Sequence, residues 1–342
     1  MKVVFSDRQL AHAPKSFLSS GAEHPNPEVP GRAACLLEAA LGAGLEQVEP
    51  GDYGRDALAA VHTARYLDFL ARIHQRWQYI DGASADVMPN IHPAGRGFGY
   101  PASAVGQVGF HVYDGSCPVT AATWDAACWS ANTAVHAAEL VLAGDPACYA
   151  LCRPPGHHAG REVVGGFCYL SNAAIAVRRL QGAHERVAIL DVDVHHGNGT
   201  QDVFWEDPTV LTVSIHADPV RFYPFFWGYA DEAGGGAGEG FNLNLPLPRG
   251  TGDDDYATAL GTVLARIRDF EPGALVVALG LDAHESDPFQ GFAMTTSGFG
   301  HIGERVAGLG LPTVLVQEGG YLNDELGASL AAFLDGFGAA AG

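Results

Sequence analysis

Five near-continuous apolar runs of this sequence end abruptly in charged, polar or glycine residues, and stretches of helical pattern lie between them. The runs span residues 148–152, 186–199, 210–218, 274–288 and 313–321, and the helical stretches span residues 173–181, 255–270 and 298–309. Apolar strands that alternate with helices are typical of a parallel sheet covered on both faces. Ligands bind beyond the carboxyl ends of such strands, where these runs carry their polar residues. The sequence therefore predicts an open α/β fold in which these polar residues converge.

The charge balance of the chain limits its partners. Among 342 residues, 39 Asp and Glu outnumber 19 Lys and Arg, which gives a net charge of −20. Nucleic acids and anionic membranes both require basic surface, so neither is expected as a partner. No apolar run approaches the roughly 20 residues of a membrane span, and the amino terminus lacks the pattern of a signal peptide. We therefore expect a cytoplasmic protein.

Residues 79–120 are rich in glycine, proline and aromatic residues and show no clear period. A stretch of this length without regular structure is usually functional or disordered. Its low charge and its aromatic residues argue against disorder. These aromatic residues are Tyr79, Phe98, Tyr100, Phe110 and Tyr113. We expect residues 1–342 to form a single domain, with this stretch as an ordered excursion at the active-site mouth or at a subunit interface.

Two strand ends combine carboxylates with an imidazole. Asp191, Asp193 and His195 stand at alternate positions, and Asp282 ends another apolar run. A carboxylate deep in an apolar strand is costly unless it is paired or binds a cation. Asp193, His195 and Asp282 would leave a coordination position open, as catalytic zinc requires, although Fe2+ or Co2+ could use the same ligands. The alternative for the first segment is a hydrogen-bonded turn that caps the strand.

Two further segments carry groups suited to amide hydrolysis. Residues 154–156, Pro-Pro-Gly, exclude a helix or a central strand, so a shaped loop can aim His157 and His158 at one point. One would take a proton from water and one would protonate the leaving amine, while Tyr321 would donate to the oxyanion. The available orienting partners for the histidines are Asp191 and Asn198. As alternatives, the histidines are polar loop residues and Tyr321 is an ordinary half-buried tyrosine.

Taken together, these segments resemble the zinc-dependent histone deacetylase family. The resemblance lies in RPPGHHAG, GFCYLSNAA, DVDVHHGNGTQD, LGLDAHESDP and EGGY, in that order, with VHTARYLDFL at residues 61–70. The chain length, the start MKVVFSD and the excursion are most similar to the bacterial acetylpolyamine amidohydrolase branch. This resemblance implies an arginase/deacetylase-like open fold with a largely parallel eight-stranded sheet and helices on both faces.

The resemblance also implies a role for each matching residue. The zinc ligands would be Asp193, His195 and Asp282, and the catalytic residues would be His157, His158 and Tyr321. Asp191 would support His157 and Asn198 would contact His158, which favours His158 as general base and acid. Phe167 and Tyr223 would be walls of the substrate tunnel. A structural potassium ion would be held by Asp191, Asp193, His195, Ser214 and Ile215, and a second one by Phe204, Asp207, Val210 and Phe241.

Arginase-like enzymes share this fold but bind two manganese ions through additional aspartates. This chain has Gly197 and Gly280 at those positions, and neither offers a side-chain ligand. One metal ion per subunit is therefore favoured. A non-catalytic binding module is disfavoured because a binder would not need the whole set of ligands, histidines and tyrosine.

The resemblance predicts hydrolysis of small acylated amines such as acetylpolyamines by metal-activated water, in a homodimer or homotetramer. Polyamine-preferring relatives are expected to carry glutamates at the mouth, where this chain has Val105 and Ser116. Other acids that could lie near the mouth are Glu23, Glu28, Asp114 and Glu285, and the aromatic residues expected there are Phe110, Tyr223, Phe225, Phe226 and Trp227. Neutral small or xenobiotic amides and acetyl-lysine peptides therefore remain alternative substrates.

Overall fold

The computed structural model describes residues 1–93 and 99–340, so Phe98 of the excursion lies outside the described residues. The strands are β1 (Lys2–Val4), β2 (Ser16–Ser19), β3 (Ala22–Pro25), β4 (Glu46–Val48), β5 (Ala147–Ala150), β6 (Val187–Asp191), β7 (Val210–Ala217), β8 (Asn242–Leu247), β9 (Ala274–Leu279) and β10 (Thr313–Gln317). The α-helices are α1 (Pro30–Gly42), α2 (Gly54–Ala59), α3 (Ala64–Trp77), α4 (Ala104–His111), α5 (Thr123–Leu142), α6 (Asn172–Leu180), α7 (Asn198–Phe204), α8 (Asp253–Phe270), α9 (Thr296–Ala307) and α10 (Leu326–Ala340).

Eight of the described strands form one sheet in the order β4-β1-β5-β10-β9-β6-β7-β8, and every neighbouring pair is parallel. Successive residues of a strand point to opposite faces, so each central strand contributes to two cores. Val4 and Cys148 pack with α3, α5 and α6, whereas Val3 and Tyr149 pack with α1, α8, α9 and α10. The predicted open α/β fold with a parallel eight-stranded sheet and helices on both faces is confirmed.

The three helices that the sequence pattern predicts form as α6, α8 and α9. Three aspartates at residues 253–255 occupy the first turn of α8, where negative charge suits the helix dipole. The Thr295 side chain caps α9 by accepting the Gly298 N–H. Local signals of this kind explain why these helices are readable from the sequence. Within the described residues, no helix is long and apolar enough to cross a membrane.

The excursion contains helix α4, which its sequence does not predict because Gly106 and Gly109 interrupt the apolar pattern. A Cβ at Gly109 would lie 1.7 Å from the Ile91 carbonyl oxygen, so glycine permits the chain near residue 91 to pack on the helix. After α4 the chain reaches a hairpin formed by β2 and β3, where Leu18 N donates to Gly115 O over 2.8 Å. The hairpin and the end of the excursion therefore meet at one place.

Candidate active site

Three of the predicted ligand side chains point at one another beyond the carboxyl ends of β6 and β9. His195 Nδ1 lies 3.1 Å from Asp193 Oδ1 and 3.1 Å from Asp282 Oδ2. Both carboxylates are fully buried. Backbone groups also hold them, since Gly319 N donates to Asp193 Oδ2 and Val194 N donates to Asp282 Oδ1. The fold thus fixes two carboxylates with one imidazole between them.

The chemistry of this cluster fits a divalent cation. Burial disfavours a charge on His195, but its hydrogen bonds to Asp193 and Asp282 outweigh burial and raise its pKa to about 9. The two buried carboxylates therefore stabilise a positive charge between them, which is what a bound metal ion supplies. The three ligand atoms lie within 4.8 Å of one another. One imidazole and two carboxylates form a donor set for zinc that leaves a coordination position for the substrate.

Glycines leave the space around the ligands. A Cβ at Gly319 would lie 2.1 Å from Asp282 Oδ2, and a Cβ at Gly280 would lie 2.3 Å from Asp193 Oδ2. A larger residue at either position would displace a ligand carboxylate, since protein interiors have no spare volume. Gly280 and Gly197 are also the positions at which the resemblance implies aspartates for a second metal ion in arginase-like enzymes, and neither offers a side-chain ligand here.

His157 and His158 lie side by side, with ring centres 4.0 Å apart. His157 Nδ1 is 3.0 Å from Asp191 Oδ2, and His158 Nδ1 is 2.7 Å from Asn198 Oδ1. Both rings are thus oriented through Nδ1. The Nε2 atom of His157 faces the ligand cluster, 3.9 Å from Asp193 Oδ1. Asp191 thus contacts His157, and Asn198 contacts His158.

The two histidines differ in their affinity for a proton. Burial disfavours protonation of His157, but the carboxylates of Asp193 and Asp191 outweigh it and raise its pKa to about 10. Burial, together with the charges of His157 and His195, lowers the pKa of His158 well below its ordinary value. Because a neutral imidazole accepts a proton and a protonated one donates it, the pair contains a base and an acid. Of the two, His158 is the better proton acceptor and His157 the better proton donor.

A buried carboxylate that the sequence did not predict as functional holds the loop of the two histidines. Glu318 Oε2 accepts the backbone N–H of Gly156 over 2.6 Å and that of His157 over 3.0 Å. Burial raises the pKa of Glu318 to about 7. The only signal in the sequence is its position directly after the buried strand β10. Glu318 thus connects the EGGY segment to the Pro-Pro-Gly-His-His loop.

Tyr321 is 4% exposed and its ring is held on several sides. The ring centres of Phe167 and Phe289 lie 5.9 and 4.9 Å away, and the Arg32 guanidinium carbon lies 4.9 Å from the ring centre. Asp287 Oδ2 accepts the Tyr321 N–H over 3.0 Å. Burial raises the pKa of the Tyr321 phenol well above its ordinary value, so the hydroxyl keeps its proton. The group is suited to donate to an oxyanion.

A cavity of about 400 Å³ opens above the ligands, the two histidines and Tyr321. Its lining includes Phe167 and Tyr223, which the resemblance implies as tunnel walls. The other aromatic lining residues are Phe17, Tyr113, Phe222, Phe225, Phe226, Trp227 and Phe289. Phe17 and Leu18 belong to the β2–β3 hairpin, where the sequence suggests only Glu23 as a mouth residue. Exposure of Phe226 is 78%, so the outer rim is open to solvent.

The structure corrects several expectations about the mouth. Phe110 contacts Tyr100 and His111 and is absent from the cavity lining, and Val105 packs against the core. Ser116 does line the cavity and donates to Asp114 Oδ1 over 2.6 Å. Among the described residues that line this cavity, Asp114 is the one acid, and Arg221 is the one arginine or lysine.

The remaining acids lie elsewhere. Glu28 is buried and pairs with Arg32 and Arg153, each over 2.8 Å. Glu23 accepts from Ser16 Oγ on the hairpin, and Glu285 is exposed. None of the three is among the described lining residues. Among the described lining residues, Asp114 is thus the carboxylate that a cationic substrate would meet.

The residues implied for monovalent cations also lie near one another. Asp191 and Ser214 are register partners in β6 and β7, and both line a small cavity of about 10 Å³. Ile215 follows in the buried strand β7. The second set surrounds the connection from α7 to β7, where Asp207 N donates to Phe204 O and Val210 N donates to Asp207 O.

Comparison with known proteins places this site in a family. The family model of the histone deacetylase domain matches residues 26–337. The chain belongs to the histone deacetylase family. Acetylpolyamine amidohydrolase from Burkholderia pseudomallei is 45% identical, with 100% of both chains covered, and the enzyme of that name from Mycoplana ramosa is 40% identical over 98% of this chain and 99% of its own.

Two solved structures share this fold. The crystal structure of acetylpolyamine aminohydrolase from Burkholderia pseudomallei superimposes with a TM-score of 0.96 at 45% identity, over 99% of each chain. The HDA15 HD domain superimposes with a TM-score of 0.81 at 28% identity, over 98% of this chain and 88% of its own. The predicted family, with its similarity to the bacterial acetylpolyamine amidohydrolase branch, is confirmed, as is the prediction of a deacetylase-family enzyme.

Proposed function

We propose that the protein is a zinc-dependent amidohydrolase that removes the acyl group from acetylpolyamines and related small acylated amines. The observation that carries this proposal is the cluster of Asp193, His195 and Asp282 next to the paired imidazoles of His157 and His158. These three side chains would hold zinc, which would polarise an amide carbonyl and acidify water. No serine or cysteine nucleophile is needed, because in this arrangement water would attack the amide directly.

The residues of the chain divide the remaining work. His158, kept neutral by burial and by the charges of its histidine neighbours, takes a proton from the attacking water. His157 carries a proton and is hydrogen-bonded to Asp191, and it donates its proton to the leaving nitrogen. The Tyr321 hydroxyl donates to the oxygen that becomes negative. Phe167 and Tyr223 flank the path of a narrow acyl-amine chain and exclude water around it.

The position of Asp114 favours a substrate whose distal end carries a cationic amine. Its carboxylate lies in the cavity lining, and no other carboxylate of the described lining residues competes with it. Four protein donors already occupy the Asp114 oxygens, so this carboxylate would attract an ammonium group through its charge rather than through a direct hydrogen bond. That attraction favours an acetylated diamine over a neutral amide of the same length.

A neutral small amide is the second candidate substrate, and the composition of the cavity favours it. Arg221 also lines the cavity, so its charge opposes that of Asp114. Most of the remaining wall is aromatic, which suits apolar chains. An acetyl-lysine peptide fits less well, because the hairpin residues and the end of the excursion both narrow the entrance.

Other properties of the protein are proposed with this function. A structural potassium ion would be held by Asp191, Asp193, His195, Ser214 and Ile215, and Fe2+ or Co2+ would fit the catalytic ligands as well as zinc does. We propose a homodimer or homotetramer, supported by the exposed Phe225 and Phe226 at the rim. A cytoplasmic location fits the acidic surface and an acetylated metabolite as substrate.

The test compares three substrates on zinc-loaded protein: N-acetylputrescine, an acetyl-lysine peptide and N-butylacetamide. We expect kcat/KM for the acetylated diamine to exceed that for the neutral amide by about tenfold or more, and Asp114→Asn to remove this preference. A higher value for the neutral amide would assign the second candidate. Loss of all activity on chelation, with recovery on adding zinc, tests the metal. Protein that binds zinc and cleaves none of the three contradicts the proposed function.

A further inference from the structure

A continuous chain of hydrogen bonds connects the cavity rim to the imidazole of His158. Tyr223 Oη lies 2.6 Å from Asp114 Oδ2, and Tyr113 Oη lies 2.9 Å from Tyr223 Oη. Asn198 Nδ2 lies 3.3 Å from Tyr113 Oη, and Asn198 Oδ1 lies 2.7 Å from His158 Nδ1. The chain thus runs through four side chains before it reaches the histidine. We call Asp114, Tyr223, Tyr113 and Asn198 the rim-to-histidine chain.

Each hydroxyl has one proton, and this fixes which group donates in every hydrogen bond of the rim-to-histidine chain. Asp114 is surrounded by donors, since Ser116 N and Ser116 Oγ reach its Oδ1 over 2.9 and 2.6 Å and Gly166 N reaches its Oδ2 over 3.2 Å. A carboxylate in that position only accepts, so the single hydroxyl proton of Tyr223 is directed to Asp114. The Tyr223 oxygen is then left to accept, and the proton between the two phenols belongs to Tyr113.

The same reasoning continues to the histidine. Because the Tyr113 proton is directed to Tyr223, the Tyr113 oxygen accepts from Asn198, and the side-chain amide of Asn198 presents its NH2 group there. Its carbonyl oxygen therefore faces His158, and the bond of 2.7 Å requires a proton on His158 Nδ1. Nε2 of the neutral ring is left without a proton, which is the form that accepts one from water.

The surroundings keep the two phenols protonated and in place. Burial and the charge of Asp114 raise the pKa of Tyr113 and of Tyr223 well above the ordinary value. The Tyr113 ring sits against Gly165, where a Cβ would lie 2.1 Å from Tyr113 Cζ, and the Trp227 ring packs edge-on 5.7 Å away. Tyr223 packs edge-on to His158 with ring centres 4.9 Å apart. These contacts hold both rings beside the histidine.

We infer that Tyr113 is a positioning residue, which acts through Asn198 to hold His158 in the tautomer protonated on Nδ1, with Asp114 as the acceptor that sets the direction of the chain. This inference deepens the proposed function and rests on it for the role of His158 as base. The tautomer itself is a property of the folded protein, so it can be measured without a substrate.

The test is Tyr113→Phe, which removes the hydroxyl that accepts from the Asn198 NH2 group and so orients the Asn198 side-chain amide. Tyr229→Phe is the matched control, because Tyr229 Oη donates to the Phe225 carbonyl over 2.8 Å in the same rim segment but outside the chain. Long-range 1H–15N NMR of zinc-loaded protein with 15N-labelled histidine reads which nitrogen of His158 carries the proton, and the signals are assigned with His158→Gln. Steady-state kinetics on N-acetylputrescine gives kcat and KM.

In the unchanged protein and in Tyr229→Phe we expect a proton on Nδ1 alone. In Tyr113→Phe we expect a mixture of tautomers, a fall in kcat of about tenfold and a KM within about twofold. The double variant Tyr113→Phe, Asn198→Asp places a carboxylate beside His158, and a carboxylate presents an acceptor oxygen in either orientation. It should therefore recover the Nδ1 proton and most of kcat. That recovery also shows that the Tyr113→Phe substitution is compatible with folding.

The inference is overturned if Tyr113→Phe keeps the Nδ1 proton alone, or if its kcat stays within twofold of the Tyr229→Phe value. It is overturned equally if the double variant regains the tautomer but not the rate. A protein that cleaves no amide at all contradicts the proposed function instead, while the NMR signal of His158 still decides whether the chain sets the tautomer.

Discussion

Glu318 and His157 are joined across 161 residues by a hydrogen bond from the His157 backbone N–H to Glu318 Oε2, 3.0 Å long. The same oxygen accepts the Gly156 N–H over 2.6 Å. A buried carboxylate therefore supplies the acceptor for two backbone groups of the loop that presents both histidines. The end of β10, which also leads to Tyr321, and the histidine loop are held together by this contact.

Glu318→Ala should destabilise the protein, because it leaves the N–H groups of Gly156 and His157 buried without an acceptor. We expect the free energy of unfolding to fall by about 2–4 kcal/mol, measured by urea titration. Glu318→Gln keeps an acceptor oxygen and is the matched control, with an expected loss of about 1 kcal/mol or less. Equal losses in the two variants would show that the charge, and not the acceptor, stabilises the loop.

Gly319→Ala should weaken zinc binding, because the new methyl group would lie 2.1 Å from Asp282 Oδ2 and 2.6 Å from Asp193 Oδ2. We expect an affinity lower by about 100-fold, measured by competition with a coloured chelator. Gly42→Ala is the control, since a Cβ at that position, at the end of α1, meets no atom within 4 Å. Unchanged affinity in Gly319→Ala would mean that zinc does not use these carboxylates.

Tyr321→Phe should lower kcat by about 100- to 1000-fold, because it removes a donor to the developing oxyanion. Zinc content should stay at one ion per chain, since the hydroxyl is not among the ligands. Tyr100→Phe removes a hydroxyl that lies 3.0 Å from His111 Nε2, away from the cavity, and should leave kcat unchanged. A Tyr321→Phe enzyme with kcat within threefold of the original would remove Tyr321 from the mechanism.

His62 should make the stability of the protein depend on pH. Its Nε2 accepts the Ser171 N–H over 3.0 Å, and burial lowers its pKa from 6.5 to about 4. Between these values the unfolded chain binds a proton that the folded chain excludes, so stability falls as the pH falls from 6.5 towards 4. The contribution of this residue is about 2 kcal/mol at pH 5 relative to pH 7.5.

His62→Gln retains an acceptor for Ser171 without a titrating ring, and it therefore isolates this contribution. Urea titrations of both proteins at pH 7.5 and pH 5 measure the difference, in which other titrating groups cancel. We expect the original protein to lose more stability than His62→Gln over this interval. The same loss in both proteins would show that His62 does not titrate differently on folding.

The sequence alone determined the sheet and the chemistry at its edge. The apolar runs that became β5, β6, β7, β9 and β10 are readable because strands buried on both faces need apolar residues at every position. The charges that follow β6 and β9 are readable because parallel strands bring their carboxyl ends to one edge. These local patterns were sufficient to name the ligands, the paired histidines and Tyr321 as one group.

Only the tertiary structure decided what surrounds that group. The roles of Glu318 and Tyr113, the hairpin wall with Phe17, and the position of Asp114 depend on contacts between segments that are distant along the chain. Phe110 shows the reverse case, since an aromatic residue in the excursion turned away from the cavity and packed beside Tyr100. The physical reason is that periodicity records which face of an element is buried, whereas the direction of a hydrogen bond depends on which other segment packs there.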